Sequence, residues 1–435
     1  VSPITIGIIG SGVLVFLLFL GMPIAFVMMF VGFLGISYLT SIHAAMPVVA
    51  KTLYETASHY PYTIIPLFIL MGGFAGGAGI TRELYESFDK WFRKWPGGLG
   101  IATIAACAFF AALSGSSVAA SAAMGTIAIP EMRRFRYAPK LAVGVVAAGG
   151  TLSFLIPPSL GFVVYGMLTE QSIGKLLISG IFPGILLSLA FILIIVFQVK
   201  LNPHLAPATP GEISLKEKIL ALSGIWETLL VFLIVMGGIY LGFINPTEAG
   251  AIGATALFVI ILLKGKLTLK TLTTSLLEAT RISVLVLFLV AGANVFSYFL
   301  ALSTIPMVVS NWMASLEVSR YFILSLIVLI YLFMGCFLDA ISMMVLTMPV
   351  IFPVIKTLGF DPIWFGVICV IMMEAGLITP PVGLNVYTLA GVVKDVPMET
   401  IFRGAMPFLF SMIAVIILIT IFPQIALFLP SMMGR

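Results

Sequence analysis

Apolar residues run along this chain in blocks long enough to cross a bilayer, separated by short polar stretches. The blocks near 4–22, 24–40, 61–80, 140–169 and 176–199 predict helices in the first half. About twenty apolar residues at 1.5 Å rise span a hydrocarbon core of roughly 30 Å. Sustained polar–apolar alternation over ten-residue segments is absent, which argues against a membrane β-barrel. Between the third and fourth blocks lie two shorter apolar arms, 98–113 and 117–130, parted by Ser114, Gly115, Ser116 and Ser117. Each arm is about 21–24 Å long as a helix, short of the core. Two short crossing helices with local thinning would satisfy this pattern. So would a re-entrant hairpin spanning 98–130, which the short arms favour.

The breakers in the pattern repeat. A shift of 223 residues places Pro23 on Pro246, Pro130 on Pro353, Pro139 on Pro362, and Pro157-Pro158 on Pro380-Pro381. It also places Glu55 on Glu278 and Arg133 on Lys356. Two structural repeats are therefore expected, 1–199 and 219–435, joined by a polar cytoplasmic linker at 200–218 with Pro203, Pro207 and Pro210. The second repeat should hold its own hairpin at 321–353, with arms 321–335 and 340–353, and a broken helix at 363–391, matching the one at 140–169.

Charge sets the orientation. Counting each hairpin as no net crossing, each repeat crosses five times, so the second should lie inverted relative to the first. The segments then expected in the cytoplasm are 82–97, 131–140, 200–218, 264–281 and 392–403. They hold 17 of the 22 Lys and Arg residues, as the positive-inside rule asks. Lys51, Lys175, Arg320, Lys356 and Arg435 fall on the other side. Both termini should lie outside the cytoplasm. The first apolar run shows no cleavage pattern and is followed by further spans, which predicts a retained helix.

Composition narrows the class. The chain is 61% hydrophobic and 9% charged, where soluble domains carry about a quarter charged residues. The net charge of +5 resides in short loops and gives no nucleic-acid signal. Cys107, Cys336 and Cys369 are scattered in apolar stretches and should be packing residues. His43, His59 and His204 are far apart, so no transition-metal constellation is expected. No HExxH, Walker A or nucleophile–base pattern points to an enzyme. The expected fold is an all-α polytopic membrane protein of two inverted repeats.

Non-helical backbone at membrane depth survives only where it is buried in protein or lines a cavity. The two hairpin tips and the two Pro-Pro sites are four such breaks. Freed carbonyls there suit a hard cation, and half-helix N-termini suit an anion. Ser114, Ser116 and Ser117 supply hydroxyls at the first tip, and Gly115 allows close backbone approach. Asp339, among apolar neighbours at the second tip, is costly in a bilayer and thus a functional candidate. Thr151, Ser159, Thr379, Gly383 and Asn385 lie near the breaks. Any one Ser or Thr can equally be bonding its own helix.

Other features have plainer explanations. Gly72, Gly73, Gly76 and Gly77 form overlapping GxxxG pairs suited to helix contact. Glu248 and Glu374 fit buried pairing or capping roles, with ligand contact as the alternative. Tyr165 and Tyr387 follow the breaks and suit packing or substrate contact. The stretch 82–95, RELYESFDKWFRKW, suits an interfacial helix. Segments 41–60 and 264–281 suit amphipathic arms along the two membrane faces.

Four stretches, SGSSVAASAAMGTIAIPEM, IPPSLGFVVYG, FLDAISMMVLTMPVIFPV and ITPPVGLNVYTLAGVVKDVP, together resemble the large membrane subunit of tripartite ATP-independent periplasmic (TRAP) transporters. The likeness runs nearly the whole chain. The resemblance implies an elevator-type secondary transporter of the bacterial inner membrane, driven by Na⁺ and importing an organic acid anion. It implies a periplasmic substrate-binding protein and a small four-helix membrane subunit, here expected as a separate chain or an excised part, with both termini of the present chain in the periplasm. Carried over, one sodium site would lie at Ser114, Gly115, Ser116 and Ser117 with Gly150 and Thr151. The other would lie at Asp339 with Thr379, Pro380 and Gly383. Substrate contact would fall to Ser116, Ser117, Ser159 and Asn385. A stand-alone sodium-coupled anion transporter needing no binding protein, or an ion channel, are the alternatives.

Overall fold

The computed structural model describes residues 2–207 and 213–433. Residues 208–212 of the expected linker, Pro210 among them, and Arg435 lie outside the described residues. The architecture is helical, with no strand among the described residues. The first half runs α1 (Pro3–Phe19), α2 (Ile24–Leu39), α3 (Ile42–Ser58), α4 (Ile64–Gly77), α5 (Ile80–Phe92), α6 (Gly98–Ser114), α7 (Ser117–Arg134), α8 (Pro139–Leu155), α9 (Leu160–Thr169), α10 (Ile173–Ser179) and α11 (Ile181–Leu201). After α12 (Leu215–Ala221) come α13 (Trp226–Tyr240), α14 (Pro246–Leu263), α15 (Leu269–Leu302), α16 (Ile305–Ser315), α17 (Arg320–Gly335), α18 (Ala340–Thr357), α19 (Pro362–Gly376), α20 (Leu384–Val392), α21 (Met398–Ile421) and α22 (Gln424–Met432). Among the described residues six helices are long and apolar enough to cross a membrane, or eight if each of two bent pairs is one span.

The 223-residue offset carries over to the helices. Shifted, α7 covers 340–357, the bounds of α18, and α8 covers 362–378, against 362–376 for α19. Contacts between the halves are reciprocal. The helix α2 packs on α15, and its counterpart α14 packs on α4, the counterpart of the second part of α15. Likewise α7 packs on α20, and α18 on α9. Such reciprocal contacts are what a twofold relation between the halves would give.

Two expectations need correction. The second hairpin arms do not stop at Pro130 and Pro353; α7 and α18 carry these prolines inside and continue four residues further. A proline forfeits one hydrogen bond but does not force termination when the next turn is anchored. Segment 264–281 is not a separate arm like α3: from Leu269 it is the first part of a single 34-residue helix, α15. In the first half Pro61 disfavours helical backbone at the preceding residue, and a 3₁₀ turn at Tyr60–Thr63 separates α3 from α4. The equivalent of Pro61 is Val284, and the helix runs on. The described parts of the linker are tied to the helices. The amide of Ala138 donates to the Leu205 carbonyl at 2.9 Å, the Trp91 indole donates to the Lys218 carbonyl at 3.0 Å, and Ser214 and Glu217 form a capping box.

Lipid offers no hydrophobic drive between helices, so close packing must hold them. Glycine supplies it where the halves and hairpins meet. A β-carbon on Gly335 of α17 would lie 2.8 Å from the Gly376 Cα of α19, and one on Gly292 of α15 would lie 2.6 Å from the Ala25 carbonyl of α2. All three cysteines are buried and free.

Candidate ion and substrate site

The first tip is a two-residue turn. Gly115 ends α6 in left-handed backbone (φ 58°), a conformation that costs any other residue more than glycine. Ser116 returns to extended backbone and caps α7, its hydroxyl accepting from the Ala119 amide at 3.4 Å. The tip rests against the first helix break, since a β-carbon on Gly115 would lie 3.3 Å from the Pro158 carbonyl. The second tip is built alike. Asp339 caps α18, accepting from the amides of Ile341 at 3.1 Å and Ser342 at 3.0 Å. There the Gly383 amide donates to the Cys336 carbonyl at 3.4 Å, joining tip to break. Both Pro-Pro bonds, Pro157-Pro158 and Pro380-Pro381, are cis.

The two tips open onto one cavity of about 470 Å³. Ser114, Gly115, Ser116, Ser117 and Asp339 line it. The N-termini of α7 and α18 therefore both face it, each carrying about half a positive charge. Lys270 adds a full one. The rest of the sequence-derived set lies outside its lining. Gly150 and Thr151 are buried, the Thr151 hydroxyl donating to the Ala148 carbonyl at 2.6 Å. Ser159 is buried, its hydroxyl donating to the Phe154 carbonyl. Thr379 bonds the Ala375 carbonyl at 2.6 Å. Pro380 and Gly383 belong to the second break. Asn385 is fully buried, and neither amide atom has a partner. The hydroxyls of Ser114 and Ser121 are also buried without partners. These donors are oxygens, the chemistry of a hard cation, so the first tip fits sodium on its donor set. The second fits less fully, because Asp339 is exposed and already caps its helix.

Further wall residues lie outside the set that the sequence assigns to the site. Gly72 packs on the backbone of Ser114, and Gly73 on the Ser275 side chain, so the glycines of α4 are contact residues that also face the cavity. From α15 come Thr271, Thr274, Ser275 and Glu278. Their 3–4 residue spacing is a polar helical stripe that the sequence displays openly. Glu374 of α19 lines the cavity and accepts from the Ser117 hydroxyl at 2.6 Å. Glu248 is a capping-box residue with Asn245, and Tyr165 donates to the Pro362 carbonyl at 2.7 Å, while Tyr387 is exposed. No group of three or more His, Cys, Asp or Glu suited to a metal exists among the described residues.

An ionic cluster sits beside the start of α15. Lys264 meets Glu83 at 2.7 Å and Glu227 at 2.6 Å, and Lys266 meets Glu83 at 2.6 Å. Burial alone would raise the Glu83 pKa, but hydrogen bonds and charge from Lys264 and Lys266 outweigh it and hold the carboxyl below its usual range. Burial would lower that of Lys264; its bonds to Glu227 and Glu83 instead raise it.

Interrupted helices meeting at one cavity inside a polytopic helical protein are the architecture of a membrane transporter. The fold agrees: the YdaH transporter of Alcanivorax borkumensis superposes with a TM-score of 0.64 over 89% of this chain and 88% of that one, at 15% identity. MtrF of Neisseria gonorrhoeae gives 0.59 over 96% and 94%, at 12% identity. Residues 11–425 match the family described as tripartite ATP-independent periplasmic transporter, DctM component, and the chain belongs to that family of large permease subunits. It is 38% identical to the C4-dicarboxylate TRAP transporter large permease DctM of Pseudomonas aeruginosa, over 88% of this chain and 90% of that protein. It is 31% identical to the sialic acid large permease SiaM of Vibrio cholerae, over 96% of each. Against the isethionate permease DctMQ of Oleidesulfovibrio alaskensis it is 34% identical over 95% of this chain and 65% of that protein. Like these relatives it is a transporter subunit and not an enzyme.

Proposed function

We propose that this chain is the membrane subunit that carries an organic acid anion, a carboxylate or sulfonate, across the bacterial inner membrane by sodium symport. A periplasmic binding protein delivers the anion, and a small four-helix subunit completes the scaffold. The observation that supports this best is the convergence of two capped helix N-termini, those of α7 and α18, on one cavity beside unpartnered buried oxygens. The helix ends attract the anion and the oxygens attract the cation. The relatives' names supply the substrate class: C4-dicarboxylate, sialic acid, isethionate and 2,3-diketo-L-gulonate are all acids.

The two hairpins and broken helices move as the transport unit of an elevator, against a scaffold built on the α2–α15 and α4–α14 contacts. The cavity wall includes Thr271, Thr274 and Ser275 of the basic arm assigned to the cytoplasm, which supports an inward-facing cavity on that assignment. The halves are inverted in the membrane, with both termini periplasmic.

The test is uptake into proteoliposomes holding the chain and its small subunit, with labelled succinate, isethionate and N-acetylneuraminate as probes. An inward sodium gradient and the binding protein should both be required for accumulation. Accumulation without the binding protein would favour a stand-alone carrier. Non-saturable flux without accumulation would favour a channel.

A further inference from the structure

Glu374 is the single charged residue of α19, and its accessible fraction is 1%. Ser117 donates to Glu374 Oε2, while Oε1 has no partner among the described residues. None of the ion pairs among the described residues includes it. An ionised carboxylate with one hydroxyl for company is costly at membrane depth unless a cation accompanies it.

Its surroundings offer that companion a place. Ser117 and Ser121 lie one turn apart on α7, and the Ser121 hydroxyl is fully buried without a partner. Opposite is Gly150 of α8, where a β-carbon would collide with the Ser121 hydroxyl and lie 3.0 Å from the Ser117 carbonyl oxygen. The absent side chain lets α7 and α8 close, bringing that hydroxyl and carbonyl to the same glycine. Ser114, buried and unpartnered as well, lines the cavity beside Ser117. The offset shows this set in one half only: Glu374 corresponds to Thr151, Ser117 to Ala340, and Ser121 to Met344.

We infer that Glu374 is the anionic ligand of the cation site at the first hairpin tip, which it closes from the other half of the molecule together with the oxygens of Ser117 and Ser121. This rests on the sodium-coupled reading above and adds the residue that links ion to substrate. With its cation bound, the Glu374 charge no longer opposes an anion in the shared cavity. Cation binding therefore favours anion binding, which is what symport requires.

The test is direct ²²Na⁺ binding to the purified full chain, by scintillation proximity, for wild type, Glu374→Gln and Ser121→Ala. Glu374→Gln should weaken sodium affinity by at least about tenfold, and Ser121→Ala by a few-fold. Monodisperse elution and an unchanged unfolding midpoint certify each variant. Unchanged affinity in a folded Glu374→Gln chain overturns the inference while leaving sodium coupling intact. If that variant does not fold, Ser121→Ala decides, and unchanged affinity there overturns it. Absence of sodium binding to the wild type overturns both this inference and the sodium-coupled reading.

Discussion

A methyl group added at Gly72 should loosen the hairpin tip. Its carbon would lie 2.8 Å from the Ser114 carbonyl oxygen and 3.0 Å from the Ser114 Cα. Both atoms are backbone, so no rotamer change relieves the clash. Carbon contacts are comfortable near about 3.5 Å, so α4 and the tip must part by roughly half an ångström. Overpacking of this kind costs about 1–3 kcal/mol. Alanine also gains up to about 1 kcal/mol over glycine in a helix, which would mask part of the loss. Gly76 removes that ambiguity. It lies one turn further along α4 on the same cavity wall, and a β-carbon there meets nothing within 4 Å. The difference between Gly72→Ala and Gly76→Ala therefore isolates the close approach, at about 1–3 kcal/mol. Thermal unfolding of the two purified variants in one detergent measures it. Gly76→Ala should match or exceed wild type, and Gly72→Ala should fall below both. Equal midpoints would refute the claim that glycine at 72 is what lets α4 seat the tip.

Asp339 supplies a cap and, in the proposed site, a charge, and two substitutions separate these. Asp339→Ala should cost about 1 kcal/mol of stability through the lost cap and abolish sodium-driven uptake. Asp339→Asn keeps a good cap, so its unfolding midpoint should stay near wild type while uptake falls; unchanged sodium dependence would remove the charge from the site. Among the described residues Lys264 is the one cation bonded to Glu227, whose side chain is 3% exposed, and Lys264→Met should cost up to about 3 kcal/mol. Adding Glu227→Gln should recover most of that, as a double-mutant cycle of midpoints would show. The same cluster sets a pH window. Glu83 has its pKa depressed in the folded chain, so its contribution is present above the ordinary glutamate range near pH ~4.3 and fades as pH falls through the lower folded value. Lys264 has its pKa raised, so its contribution is present below the ordinary lysine range near pH ~10.4 and fades as pH rises through the higher folded value. Midpoints measured across pH should fall at both ends, and Lys264→Met should flatten both limbs.

Much of this was legible because membrane helices advertise themselves twice, through apolar length and through what interrupts it. Ser114, Gly115, Ser116 and Ser117 mark the first tip to within a residue, since a lone left-handed glycine before a capping serine is a local instruction. The Pro-Pro pairs mark the breaks for a similar reason. Tertiary facts were harder. Whether Pro130 ends a helix depends on what holds the next turn, which local sequence does not encode. Ser159 and Asn385 are adjacent to breaks, but adjacency along a helix does not say which side of it faces a cavity. The α15 stripe of Thr271, Thr274, Ser275 and Glu278 was visible as spacing. Its meaning depended on where α4 lies, a contact between residues some two hundred positions apart.

The offset also makes departures from symmetry informative. On the expectation of two repeats, a position where one half keeps a satisfied side chain and the other carries an orphan points to different work in the two. Thr151 bonds its own helix, whereas its counterpart Glu374 reaches Ser117 and leaves an oxygen free. Ser116 caps with a hydroxyl, whereas its counterpart Asp339 caps with a charge. The helix counterpart to α3 and α4 is unbroken, so one half interrupts its arm with a 3₁₀ turn where the other runs on as one helix past the cavity. A symmetric frame alone would offer two equivalent half-sites. These three departures place a buried carboxylate at one tip, an exposed carboxylate at the other and a polar stripe of α15 along the cavity wall, and in the proposed symport that inequality would let a cation and an anion share one cavity.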